Sequence, residues 1–381
     1  MWYNGGYEIA MHEKKEIPMK KTIRAAALAL ALLMLVLCAV ACEPAEPADT
    51  TPSTSTPVTE PRPEPTLATD KPTYTVGETI TVTFTGAGEH GDVSLLPVDT
   101  AVTLENPVRA DVTGDGTVTL RTSGCPAGEY EVLFCTDVAK DSAKLLRCKV
   151  TLAEPVLRKI ACLGDSLTNL GEGEKTYVDF LGSETFPLDA QNVGLSGSAL
   201  GIPAKDGANP ALSQRYTKIA KDSDIILIFG GSNDYGHTDF PVTLGDPAAM
   251  DDTDRATFSG ALRFLIKTLR EEHPNALIVY VTPPRRNDAV WYKAIGLDRE
   301  ATGINEFGYT LKDYRDAGIA ICDATNCPYI DLYTVPELNP LDETLLKANF
   351  RDGLHLSKTG FQFLANLLTT NLERIWNETK G

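Results

Sequence analysis

Positive charge is in short supply in this chain: 35 Lys and Arg stand against 52 Asp and Glu, a formal net charge of −17. A surface of that sign repels phosphate backbones, and no Lys/Arg cluster offsets it, so nucleic acid is excluded as a natural partner and neutral, sugar-like substrates are favoured. Histidine is scarcer still, five in 381 residues, so a general base of imidazole type has few candidates. Cys-x-x-Cys and His-Glu-x-x-His spacings are missing, and neither a metal nor another cofactor is expected. Long apolar runs are missing too, with one exception near the N-terminus. The rest, in a chain 43% hydrophobic and 23% charged, has the composition of a globular protein with room for two domains and added segments.

The exception spans residues 25–41, behind Lys20, Lys21 and Arg24, and reads as a secretory signal for which Met19 is a typical start. An uncleaved membrane span is the competing reading of a run this long. Ala39-Val40-Ala41-Cys42 favours cleavage, because small residues before a cysteine resemble a bacterial lipoprotein box, in which the cysteine is acylated and becomes the mature N-terminus. Cys42 is therefore the expected lipidation site, the cell surface the expected location, and the membrane a partner only through that anchor. Residues 42–69 form an extended Pro/Thr-rich tether, since seven prolines among Thr, Ser, Glu and Ala cannot bury a core.

From 70 to 153 hydrophobicity alternates with period two, as at Ile80, Val82, Phe84 and at Tyr130, Val132, Phe134. The segment reads as a small β-sandwich, similar in pattern to immunoglobulin-like or fibronectin-like modules, with its own partner unassigned. Asp115-Gly116 reads as a hairpin turn rather than part of a calcium loop. Six cysteines lie beyond Cys42 in a chain expected to be exported, where disulfides are permitted. Parity places Cys135 outward and Cys148 inward, so Cys322 and Cys327, separated by a short loop, are the better candidate pair.

Beyond Pro155 strands and helices alternate. Strands at 159–163, 225–229, 277–281 and 328–332, separated by helical segments such as 257–272, imply a parallel sheet covered on both faces, with ligands at the carboxyl ends of its strands. The last helix carries Phe361, Leu364, Ala365, Leu368, Leu372 and Ile375 at helical spacing. At the first strand end stands Gly164-Asp165-Ser166-Leu167-Thr168. Asn192-Val193-Gly194-Leu195-Ser196-Gly197 follows, then Gly230-Gly231-Ser232-Asn233-Asp234 after the strand at 225–229, then Asp352-Gly353-Leu354-His355. A serine hydroxyl is a weak nucleophile until a base takes its proton; His355 can be that base, and Asp352 can fix its tautomer.

These four blocks, in this order, resemble those of the SGNH (GDSL) hydrolases over residues 157–377. The resemblance implies a three-layer α/β/α, flavodoxin-like domain at 157–381 and a serine esterase in which Ser166 attacks, His355 is the base and Asp352 orients it. It also implies an oxyanion hole made of the backbone N–H groups of Ser166 and Gly197 and the side-chain amide of Asn233.

The other histidines lack such neighbours. His12 lies in the leader, His90 in a loop of the sandwich, and His273 at a helix end where a cation suits the dipole. His237 either lines the pocket or sits in a surface loop. The polar segments 235–254 and 284–306 bring Tyr235, Arg285, Arg286, Trp291 and Tyr292; of these Tyr235, Arg285 and Trp291, with Asp165 and His237, are candidates for substrate contact, the alternative being ordinary loop anchors. Neither segment shows a sustained apolar face, which points to short acyl esters, acetyl above all, on carbohydrate. A lipid acylhydrolase, lysophospholipase or thioesterase of the same family is the alternative among enzymes, and a surface adhesin the alternative of another class.

Overall fold

The computed structural model describes residues 64–100, 108–136, 144–205, 207–236 and 241–380. The expectations for the leader, for lipidation at Cys42 and for His237 lie outside the described residues, as does nearly all of the tether.

Eight strands come first: β1 (Thr66–Thr69), β2 (Thr73–Thr75), β3 (Thr79–Thr85), β4 (Gly91–Pro97), β5 (Arg109–Val112), β6 (Gly116–Arg121), β7 (Gly128–Cys135) and β8 (Leu145–Ala153). They form a three-stranded sheet, order β1-β3-β6, and a five-stranded sheet, order β2-β8-β7-β4-β5. The period-two alternation causes the packing: Ile80, Val82 and Phe84 turn inward from β3, and Tyr130, Val132, Phe134, Val150 and Leu152 answer from β7 and β8. The Phe84 and Phe134 rings meet at 5.2 Å across the sandwich. The turn at Asp115-Gly116 is not a hairpin. β5 pairs with β4 and β6 with β3, so this turn carries the chain from one sheet to the other; alternation marks the turn but does not choose the partner strand. Cys148 packs against the core and Cys135 stays on the other face, as parity implies. Among the described residues the cysteines are free thiols, Cys322 and Cys327 included.

The second region is built on β9 (Arg158–Gly164), β10 (Leu188–Gly194), β11 (Ile225–Phe229), β12 (Leu277–Val281) and β13 (Tyr329–Ile330), with α1 (Ser232–Gly236), α2 (Phe258–Glu272), α3 (Asp288–Ala294), α4 (Leu311–Thr325), α5 (Glu343–Asn349) and α6 (Lys358–Lys380) between and after them. The strands are parallel in the order β10-β9-β11-β12-β13, the flavodoxin-like arrangement. β11 and β12 are buried along their whole length, as strands covered on both faces must be. Against one face pack α2 and α4, with Leu262, Leu265, Ile266, Tyr314 and Ile321. Against the other packs α6, whose Phe361, Leu364, Leu368 and Leu372 are fully buried, each contributing about 1.5–3 kcal/mol of apolar burial. Thr257 caps α2 by accepting from Gly260 N, and Thr310 with Asp313 forms a capping box on α4.

Three further differences from the sequence reading have physical causes. β10 was not foreseen because Leu188–Gly194 is an edge strand in which Asp189, Gln191 and Asn192 interrupt the apolar residues and most positions are partly exposed. Residues 288–294, read as loop, form the helix α3, started by the Asn287 side chain accepting from Val290 N. His273, expected to offer a positive charge to the end of α2, is buried with both ring nitrogens unpartnered; burial holds its pKa below the ordinary value, so it is neutral there.

Candidate active site

In an open parallel sheet the carboxyl ends of the strands define the binding crevice, deepest where the strand order reverses. Here that point is the end of β9, between β10 and β11, and Ser166 stands on it. β9 ends at Gly164, where an added Cβ would lie 2.0 Å from Thr168 Oγ1 and 3.1 Å from Phe229 O, so only glycine permits the tight turn. The turn is held by Asp165, whose carbonyl accepts from Thr168 N and Asn169 N at 3.1 and 3.0 Å and whose Oδ1 accepts from Leu167 N at 2.9 Å. The buried Arg215 donates to Gly164 O at 2.9 Å and to Val193 O, fastening the ends of β9 and β10 together.

The two neighbouring strands bring the next residues. After β10 the chain turns through Gly197, whose φ of +72° is the left-handed conformation that glycine takes without strain. After β11, α1 presents Asn233, whose Nδ2 donates to Ser198 O at 2.9 Å and to Asp165 Oδ2 at 3.2 Å. Asp234 takes Leu200 N and Gly201 N at 2.8 and 2.9 Å. The loops after β9, β10 and β11 are thereby tied to one another through two buried carboxylates. Burial lifts Asp165 to about 6 and Asp234 to about 7, against the pull of these backbone donors.

The last contribution follows α5. Phe350 and Leu356 form a bridge that closes a short loop, in which Gly353 has φ +82° and would place a Cβ 2.8 Å from Asn287 O. This loop turns Asp352 and His355 toward each other. Asp352 Oδ2 lies 2.8 Å from His355 Nδ1, while its Oδ1 accepts from His355 N at 2.7 Å and Leu354 N at 3.1 Å. His355 Nε2 is 2.9 Å from Ser166 Oγ. Burial pushes the Asp352 carboxyl up, but the bonds from the His355 ring and backbone outweigh it and hold the group below its usual range. A charged Asp352 keeps the proton on Nδ1 and leaves Nε2 free to accept the Ser166 hydroxyl, an arrangement able to turn that hydroxyl into a nucleophile. Trp291, from α3, packs on the imidazole at 5.0 Å with the rings at 78°.

Ser166, Gly197, Asn233, Arg286, Trp291 and His355 line one cavity of about 110 Å³. Among the described residues no acceptor is paired with the backbone N–H of Ser166 or of Gly197. The residues singled out in the four motif blocks therefore converge, and Trp291 joins them. Asp165 lies beneath, facing Asn233 rather than the cavity. Tyr235 and Arg285 are elsewhere. Tyr235 is buried in the core and donates to Asp288 Oδ2 at 3.0 Å, and Arg285 lies over the Tyr333 ring and donates to Tyr333 O, on an adjoining groove. Both are anchors of the loops that frame the site. Leu354, inside the last motif block, also lines the cavity, as does Ile295, which had no signal in the sequence. Ile295, Leu297 and Ile304 are exposed apolar side chains in the segment 284–306, which is less uniformly polar than its composition implies.

A family model described as GDSL-like lipase/acylhydrolase matches residues 162–363, more than half of the chain. The chain belongs to the GDSL-like lipase/acylhydrolase family. It is a hydrolase. One solved structure matches this GDSL-like chain at 28% identity with a TM-score of 0.50, covering 57% of this chain and 97% of its own. A Lactobacillus plantarum protein matches at 27% identity, TM-score 0.48, with coverage of 57% and 97%. The lipase/acylhydrolase from Enterococcus faecalis matches at 19%, TM-score 0.36, with 57% and 96%. No curated protein matches the chain.

Proposed function

We propose that this GDSL-like hydrolase is a serine esterase that removes short acyl groups, acetyl above all, from carbohydrate. The observation that carries the reading is the continuous relay from Ser166 Oγ through His355 to Asp352, with contacts of 2.9 and 2.8 Å, opening on a small cavity. Ser166 Oγ attacks the ester carbonyl while His355 Nε2 takes its proton. The carbonyl oxygen becomes an oxyanion beside the unpaired N–H groups of Ser166 and Gly197, and Asn233 turns one of its amide hydrogens from Asp165 or Ser198 to the same oxygen. His355 then returns its proton to the departing alcohol, leaving the acyl group on Ser166. Water, deprotonated by His355, releases the acid and restores the hydroxyl.

The polar side of the cavity and the acidity of the chain favour a neutral, oxygen-rich substrate. The exposed Ile295, Leu297 and Ile304 favour the second reading, a lipid acylhydrolase. The leader supports export and a surface anchor at Cys42, from which the hydrolase would reach polymeric material outside the cell. Labelling with a serine-directed fluorophosphonate tests the chemistry: one adduct per chain, on the peptide containing Ser166, is expected. An unlabelled Ser166 in the folded protein contradicts the proposal.

A further inference from the structure

The proposed reaction dictates where the departing alcohol must lie. His355 returns its proton from Nε2, the nitrogen 2.9 Å from Ser166 Oγ, so the alcohol oxygen has to come within hydrogen-bond reach of that atom before it leaves. No such requirement holds the acyl group near the imidazole. The carbon attached to the alcohol oxygen therefore sits beside His355, and the ring packed against His355 is the Trp291 indole, 5.0 Å away at 78°. Trp291 is partly exposed and lines the same cavity as Ser166.

Trp291 does not stand alone. Ile295, four residues on, donates its N–H to Trp291 O at 3.1 Å, and residues at that spacing share one helix face. Both line the cavity, with Leu354 beside them. Ile295 is 42% exposed, so this apolar wall reaches from the imidazole out to solvent. The wall is also fixed to the group that delivers the proton. Asn287 N donates to Gly353 O at 2.8 Å and Trp291 N to Asn287 O at 2.9 Å, while an added Cβ at Gly353 would lie 3.0 Å from Val290 Cβ. The start of α3 is thus seated on the Asp352–His355 loop, which holds the indole and the imidazole in one geometry.

We infer that Trp291, with Ile295, is the binding surface for the leaving alcohol and selects one with an extended apolar face, such as the C–H face of a sugar ring. The inference rests on the esterase reading and deepens it, since it assigns the alcohol to one wall of the site. It also gives the apolar side chain at this edge a task other than holding a fatty acyl chain. A flat indole gains most from a rigid ring, which loses little conformational freedom on being bound. A small acyl group fits the rest of the cavity of about 110 Å³, while an alcohol that belongs to a polymer leaves the cavity over the exposed Ile295.

The test separates the two sides of the ester. Cyclohexyl and isopropyl acetate share the acyl group and both release a secondary alcohol, so their ratio of kcat/KM reads the alcohol side. Phenyl acetate and phenyl butyrate share the alcohol and read the acyl side. The wild-type protein is expected to favour cyclohexyl over isopropyl acetate by at least about tenfold. Trp291→Ala is expected to reduce that preference at least about fivefold, while the ratio of phenyl acetate to phenyl butyrate stays within about twofold of wild type. A general loss of activity from a loosened His355 lowers all the esters alike and cancels in both ratios. Ile295→Ser, at an exposed position, is expected to lower the same alcohol preference and carries the test if Trp291→Ala does not fold. No cyclohexyl preference in the wild type, an alcohol ratio unchanged in both variants, or an acyl ratio that shifts more than the alcohol ratio overturns the inference. Wild-type inactivity on every ester, phenyl acetate included, overturns the esterase reading first and this inference with it.

Discussion

Replacing Asp352 by Asn changes almost no volume and tests the electrostatic logic of the site. In the wild-type structure the carboxylate accepts three hydrogen bonds, two from the backbone N–H groups of Leu354 and His355 at Oδ1 and one from the imidazole at Oδ2. An asparagine has one acceptor and one donor end. The two backbone donors, fixed by the Gly353 loop, hold the amide oxygen where Oδ1 stood, and the NH₂ group then faces Nδ1. That nitrogen can no longer carry the proton, so the imidazole adopts the tautomer protonated on Nε2, which cannot accept from Ser166. Loss of the correct tautomer costs about 10⁴ in turnover in serine hydrolases built on this logic. Here a fall in kcat of about 10³–10⁴ is expected, corresponding to ~4–5.5 kcal/mol of transition-state stabilisation, with KM for phenyl acetate changed by less than about threefold. Steady-state kinetics measures the fall, and nitrogen-15 shifts of the His355 ring report the tautomer. A loss of less than tenfold, or a ring still protonated on Nδ1, would refute the reasoning.

Three further outcomes are expected. Asn233→Ala should lower kcat by about 10²–10³ with a smaller effect on KM, since its bond strengthens as the oxyanion develops; equal weakening of both would place Asn233 in ground-state binding instead. Stability should fall as pH rises from about 4 to about 7. Asp165 and Asp234, raised by burial to about 6 and about 7, retain in the folded state protons that the unfolded chain, with its carboxylates at the ordinary 3.8, has already released. The penalty is on the order of a few kcal/mol, and a melting temperature that rises from pH 5 to pH 8 would contradict it. Two-carbon esters should be preferred over eight-carbon esters by at least about tenfold, ~1.4 kcal/mol. The cavity of about 110 Å³ is smaller than the roughly 150 Å³ that admits benzene in an engineered apolar site; a preference for the longer ester would promote the lipid acylhydrolase reading.

What could be read in the sequence divides along physical lines. β11 and β12 were legible because strands covered on both faces are uninterrupted apolar runs, and the residues of α6 because a helix against a sheet shows its spacing plainly. β10 was hidden because an edge strand needs no such run, and in LDAQNVG three polar residues break up the apolar ones. Three of the four motif blocks could be placed because they sit at or run off the carboxyl end of a strand, where backbone geometry leaves little choice of direction, while Asp352–His355 follows helix α5 and was placed by its spacing. Residues displayed by helices and by proline-rich turns were not so constrained. Asn233 and Tyr235 are two apart on α1, about 200° around the helix, so one borders the cavity while the other enters the core. Arg285 and Arg286 follow Pro283-Pro284, where no periodicity survives, and which of them turns inward is decided by Asp288 and Ser232.

The central claim, that Ser166 carries the chemistry, is tested most directly by the turnover of Ser166→Ala on phenyl acetate, measured beside its thermal unfolding. Among the described residues the one side-chain hydrogen bond of Oγ is with His355, so the substitution removes the nucleophile and one hydrogen bond. The expected result is hydrolysis at the uncatalysed background with a melting temperature within a few degrees of wild type. Turnover within tenfold of the wild-type rate would contradict it.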